Sequence, residues 1–334
     1  MSNHESVPLT SSELGYLWTG YAINEMSKWF LTVFQAQAKD EDVKAVYSYA
    51  LEISSEILSS RGDLLNNDGY PLPKGFSQKD INLDSLPLFS DRFLLHYLHI
   101  GARVGLVFHS RSLALATRLD VRKYHNDCLQ TAIQLNDKIV DIMLKKGIYW
   151  RSPHLPAPEQ PEKIQKTSYL QGWFGDIRAL NSIEIANLYL IIDMLTMIET
   201  LCMGFAQTAK SEEISDLFNK GLHVIEDHYN DLVELLKKDD LPIPPSFKTE
   251  LTASKERIFS DRIMLCHMAG LFGSLLSQYG FSIGSVMKHD LVKTYSALII
   301  KGGFFTEIMA RTLINNEWLE KVPGVISRED RFGI

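Results

Sequence analysis

The sequence predicts an all-α protein built as two tandem four-helix bundles, an internal duplication of one domain. Three observations carry this. The tetrapeptide Phe89-Ser90-Asp91-Arg92 returns as Phe259-Ser260-Asp261-Arg262, a separation of 170 (259 minus 89) in a chain of 334 residues. Pro71-Leu72-Pro73-Lys74-Gly75-Phe76 returns as Pro242-Ile243-Pro244-Pro245-Ser246-Phe247 at an offset of 171, shared by Phe34 with Phe205 and by Lys39-Asp40-Glu41 with Lys210-Ser211-Glu212. Apolar residues recur at helical spacing in both copies, and no stretch alternates with period two as a strand would. One register change separates the two offsets: beyond it Asp120 pairs with Asp290 and Pro153 with Pro323 at 170. The period is far too long for a solenoid. The expected organisation is a first bundle over 9–153, a linker or docking segment over 154–180, and a second bundle over 181–325.

In the first copy, Ser11 or Ser12 is placed to cap helix A, which carries Leu14, Leu17, Trp18 and Tyr21 and ends near Ala38. Helix B follows Lys39-Asp40 and buries Val43, Val46, Tyr47, Ala50, Leu51 and Ile57 until Asn66-Asn67-Asp68-Gly69 stops it. Some 20 irregular residues come next. Ser90 then caps helix C, with Asp91 favourable in its first turn, and the helix runs to about Arg118. Asp120 is read as the cap of helix D, which runs to about Lys146. The second copy repeats this, with helices expected at about 182–208, 212–237, 260–287 and 290–316. Short A–B and C–D links make those pairs antiparallel neighbours, and the longer B–C link is where a crossover fits. Between the copies, Pro153 to Pro161 reads as an extended spacer, and Tyr169-Leu170-Gln171-Gly172-Trp173-Phe174-Gly175 is apolar enough to dock on a bundle.

Composition narrows the function classes. Net charge of −7 argues against a nucleic-acid partner, which selects for a basic face. Cys128, Cys202 and Cys266 form no Cys-x-x-Cys and no even framework, which fits a reducing compartment. No export signal is read in Met1 to Leu9, so a cytoplasmic location is expected. The apolar run from Ile183 to Phe205 is interrupted by Glu184, Asp193 and Glu199, and reads as a core helix rather than a membrane span. No phosphate loop, nucleophile elbow or zinc-finger spacing is present.

The tandem layout, the proline motif followed by Phe-Ser-Asp, the Arg118-x-Asp120 pair before helix D and the joining segment from Tyr169 to Ile185 together resemble the domain-of-unknown-function family 3231 of spore-forming Gram-positive bacteria. The resemblance covers nearly the whole chain. It implies ferritin-like four-helix domains with a long B–C crossover, a metal site within a bundle, and kinship to shorter spore-coat-like proteins. Spore association and homo-oligomer or spore-coat partners follow from it as expectations.

Ferritin-like di-iron sites take one Glu from each of two helices and a Glu-x-x-His from each of the others. The sequence contains no Glu-x-x-His. The second copy nevertheless places one donor on the apolar stripe of every helix: Asp193 on A, His228 on B, His267 on C and Glu307 on D. Lone buried carboxylates are costly and are usually paired or metal-bound, and two imidazoles with two carboxylates suit iron, manganese or zinc. The first copy has Ala22, Ile57, Tyr97 and Asp137 at those places, so a metal would bind the second bundle alone. Counting from the expected helix ends puts Asp193 level with His228, and His267 level with Glu307. A crossover would hold the two pairs roughly 12 Å apart along the axis. The competing expectation is that each histidine is a hydrogen-bonded core residue of a structural protein. His96-x-x-His99 is a weaker metal lead, and His223 with Glu226 reads as a solvated pair.

Overall fold

The computed structural model describes residues 7–173 and 177–325. Its eight long helices are α1 (Ser11–Gln37), α2 (Glu41–Asn67), α3 (Asp91–Leu115), α4 (Leu119–Lys145), α5 (Ser182–Thr208), α6 (Glu212–Lys237), α7 (Asp261–Ser285) and α8 (His289–Asn315). Their starts reproduce the repeat. The offset is 171 for α1 and α5 (182 minus 11) and for α2 and α6 (212 minus 41). It is 170 for α3 and α7 (261 minus 91) and for α4 and α8 (289 minus 119). The lost residue therefore lies in the link between the second and third helices. Among the described residues there is no strand; Phe89 and Leu251 form an isolated antiparallel bridge.

Two helix starts differ from the sequence expectation. The cap of α1 is Thr10 rather than Ser11 or Ser12, because Glu13 three residues on completes a capping box with it. Asp120 lies inside α4, whose N-cap is Arg118; the Asp120 carboxylate instead holds the Arg118 guanidinium at 2.8 Å. Ser90 and Ser260 do act as expected, accepting from the backbone N–H of Phe93 and of Ile263.

The chain divides into two compact units. One comprises Met1–Asp84, Leu94–Lys146 and Leu319–Ile334, and the other Ser85–Phe93 and Gly147–Trp318. In the second unit α5 packs on α6 and α7, and α8 packs on the same two. The N–H of Leu180 donates to Asp239 at 2.6 Å, joining the start of α5 to the end of α6. The N–H groups of Lys210 and Ser211 each donate to the Asp261 carboxylate at 2.9 Å, joining the start of α6 to the start of α7. So α6 and α7 run parallel, and the link between them travels the length of the bundle. The repeated Phe-Ser-Asp-Arg thus does more in this copy than start a helix. Its aspartate also holds the start of α6, where negative charge is favoured.

The first unit has the same order. Lys146 after α4 reaches Asp40 before α2 at 2.7 Å, and Arg118 reaches Asp68 after α2 at 2.7 Å. The Tyr47 hydroxyl donates to the carbonyl of Leu94, and Tyr97 meets Phe34 edge-on at 5.1 Å. These contacts put the start of α3 beside the start of α2.

Ser85–Phe93, part of the first copy by sequence, packs in the second unit. The Ser90 N–H donates to the Glu250 carbonyl and the Thr252 N–H to the Leu88 carbonyl. Leu88 and Phe89 fill the space left by Gly204 of α5, where a Cβ would stand 2.7 Å from the Phe89 ring. Helix α5 is long and apolar enough to cross a membrane, yet 83% of its most apolar window is buried inside the protein, as a bundle's core helix requires. Of the joining segment, Trp173 lies under the Lys293 ammonium at 5.3 Å and Gly172 abuts Asp290 at the start of α8. Phe174 and Gly175 fall outside the described residues.

Glu13 fastens the first unit. It is 2% exposed and accepts from the N–H and hydroxyl of both Thr10 and Thr117 and from the N–H of Arg118. Burial by itself would raise its pKa, but the backbone donors Arg118, Thr10 and Thr117 prevail and lower it to about 2. A carboxylate with a lowered folded pKa contributes stability above its ordinary value of 4.5, and that contribution is lost as pH falls toward 2. Glu13→Gln is expected to cost about 1–3 kcal/mol in urea unfolding at neutral pH. It should also flatten the stability loss between pH 4.5 and 2.

Candidate functional site

His228 is fully buried on α6, with its Nδ1 2.9 Å from the Tyr279 hydroxyl of α7. The Tyr279 ring stacks on Tyr295 of α8, centroids 6.1 Å apart. Nε2 of His228 and the Tyr295 hydroxyl have no hydrogen-bond partner among the described residues. Gly302 makes room for the imidazole, since a Cβ there would come within 3.2 Å of His228 Cε1. Burial, aided by Lys301 and opposed by Asp227, lowers the His228 pKa to about 4, so the ring is neutral at pH 7.

The other three candidate ligands stand on α5, α7 and α8. His267 is buried on α7, and burial lowers its pKa to about 3. It stands 6 residues into α7 (267 minus 261), while His228 stands 16 into α6 (228 minus 212). The two helices are parallel, so this difference is roughly 15 Å along the axis. Glu307 is exposed on α8 and accepts from Arg311 at 2.7 Å, so its carboxylate is satisfied in solvent. Asp193 is half-buried on α5. Among the described residues no three His, Cys, Asp or Glu side chains come together in a way that could hold a metal ion. The parallel α6 and α7 set the two histidines at different levels of the bundle. His96 and His99 are both buried, and His223 is exposed at 3.9 Å from Glu226.

The first unit holds a polar cluster that the sequence reading missed. Arg61 on α2 is 2% exposed. Its Nε donates to the Tyr124 hydroxyl at 2.6 Å, and its guanidinium carbon sits over the rings of Phe108 at 5.7 Å and Tyr124 at 5.4 Å. His109 and His125 lie beside it, their Nδ1 atoms 3.4 Å apart, and Nε2 of His125 has no partner among the described residues. Burial and then the Arg61 charge lower the pKa of His109 to about 3 and of His125 to about 4. Burial raises the Tyr124 phenol and the neighbouring Cys128 thiol. Arg61 is therefore the one charge of this cluster at neutral pH, and no carboxylate pairs with it among the described residues. Gly20 of α1 leaves the space, since a Cβ there would lie 2.4 Å from an Arg61 Nη. The available signal was a basic residue on the apolar stripe Ile57, Arg61, Leu65 of helix B.

At the repeat offsets the two clusters correspond. His109 and His125 match Tyr279 and Tyr295, Arg61 matches Leu232, Gly20 matches Ile191, and Ile57 matches His228. Glu13 matches Glu184, also buried, which takes a two-point contact from Arg178 at 2.7 Å and the Asn181 N–H.

Two copies of one four-helix repeat, each with a long link between its second and third helices, define a tandem all-helical protein. The chain belongs to the family described as Protein of unknown function (DUF3231), which matches residues 1–160 and again residues 168–330. No curated protein matches it significantly. A solved structure of a "putative spore coat protein" from Bacillus halodurans C-125 is similar over 46% of this chain and 100% of its own. Its TM-score is 0.44 at 22% identity.

The His228–Tyr279 pair makes a checkable demand. Tyr279→Phe leaves His228 without a partner on either nitrogen and is expected to cost about 1–3 kcal/mol. Adding His228→Leu should recover part of that loss, because the orphaned ring is removed with its partner. Urea denaturation of the two single variants and the double variant measures the coupling.

Proposed function

We propose that the protein is a non-catalytic tandem bundle that serves a structural role, with no metal centre in its second copy. The separation of His267 from His228 along two parallel helices carries this reading. His228 acts within the core as the partner of Tyr279, and Glu307 acts at the surface as the partner of Arg311. The repeat motifs' resemblance to a family of spore-forming bacteria supports association with the spore, which fractionation of spores from a producing strain would check.

Metal analysis tests the main point. The purified chain is incubated anaerobically with Fe(II), and separately with Mn(II) and Zn(II), then desalted and analysed by mass spectrometry. Substoichiometric metal in every case is the expected result. A stoichiometric ion that disappears in the His228→Ala, His267→Ala double variant would overturn the reading.

A further inference from the structure

A guanidinium stays protonated under all ordinary conditions, so Arg61 brings a permanent charge into the core of the first unit. Burying a charge without a counter-charge is costly, and a protein normally supplies a carboxylate beside it. None is present. Glu13, whose charge reaches His125, is already engaged by the N–H groups of Thr10, Thr117 and Arg118. Among the described residues Arg61 donates one hydrogen bond, from Nε to the Tyr124 hydroxyl, and none from its two Nη groups. Stacking over Phe108 and Tyr124 offsets part of the charge burial but accepts no hydrogen bonds. In the same cluster Nε2 of His125 is a buried polar atom with no partner among the described residues. The second copy, with Ile191 and Leu232 at the places of Gly20 and Arg61, has no charge here to compensate.

We propose that the first bundle binds a small monocarboxylate, its two oxygens on the Nη groups of Arg61, with His109, His125 and Tyr124 around it and its apolar body among the core side chains. The charge count favours a monoanion over phosphate, because one guanidinium among neutral neighbours is neutralised by one negative charge. The guanidinium fork matches the two oxygens of a carboxylate. The surroundings favour an apolar body, since Tyr124 and Cys128 belong to a buried cluster with Leu9, Leu17, Leu65 and Val121.

The test uses the full chain at fixed ionic strength, titrated with acetate, butyrate, octanoate, inorganic phosphate and butanol. Melting temperature is followed together with the ring resonances of 15N-histidine-labelled protein. A saturable rise of about 5–10 °C is expected for at least one carboxylate at roughly 100 times its Kd. His109 and His125 should shift while His228 and His267 do not. Arg61→Met should abolish the response, and Gly20→Ala, which pushes a methyl into the guanidinium, should weaken it at least tenfold. If Arg61→Met does not fold, the histidine shifts of the unaltered protein and the Gly20→Ala titration decide by themselves. Three results would overturn the proposal: no saturable response to any carboxylate, a response to phosphate or butanol but not to carboxylates, or shifts confined to other histidines.

Discussion

The parallel run of the second and third helices governs what can meet inside these bundles. In the second unit Asp261 enforces it, by taking the N–H groups of Lys210 and Ser211 and so bringing two helix starts to one end. A residue near the middle of α6 then faces residues equally far along α7. His228, 16 residues in, meets Tyr279, 18 residues in (279 minus 261), and His267 is left near the start of its helix. Had the two helices been antiparallel, the same four donors would have converged on one level. Helix direction, rather than donor identity, decides which of these side chains stand at one level.

The two copies keep their frame and differ in their cores. Glu13 and Glu184 occupy matching places at the start of the first helix, each buried and each hydrogen-bonded to backbone N–H groups. Deeper in, Gly20 and Arg61 of one copy correspond to Ile191 and Leu232 of the other, and a histidine pair corresponds to a tyrosine pair. Such exchanges alter chemistry while leaving helix packing intact, because each is made between positions on facing stripes. The glycine and the arginine belong together: the volume lost at one is taken up by the other.

Much of the frame was legible in the sequence because helices of this length are fixed by local signals. The bounds of α5 and α6 follow from caps and periodicity alone, and the offset change from 171 to 170 located the lost residue between the second and third helices. The cap of α1 was misplaced because Thr10, Ser11 and Ser12 are equally good candidates until Glu13 is seen to close a box, and that of α4 because the Asp120 carboxylate turns to the Arg118 guanidinium. Glu307 was read as buried because it follows Phe304 on an apolar-looking stripe, yet Ile300, Phe304 and Ile308 are themselves exposed. Arg61 was passed over for the opposite reason: a charged residue on an apolar stripe reads as turned to solvent, whereas Gly20, distant in the chain, is what lets it enter the core.

Pulsed dipolar spectroscopy on spin labels at the far ends of α6 and α7 tests the parallel arrangement directly. Lys237→Cys and Gly284→Cys are exposed sites near those ends, introduced with Cys266→Ser so that the half-buried native thiol is not labelled. Parallel helices put the labels across a bundle diagonal, under about 25 Å including the label arms. Antiparallel helices would separate them by nearly the length of α6, 26 residues or roughly 39 Å. The short distance is predicted; the long one would bring His228 and His267 back toward one level and contradict the account.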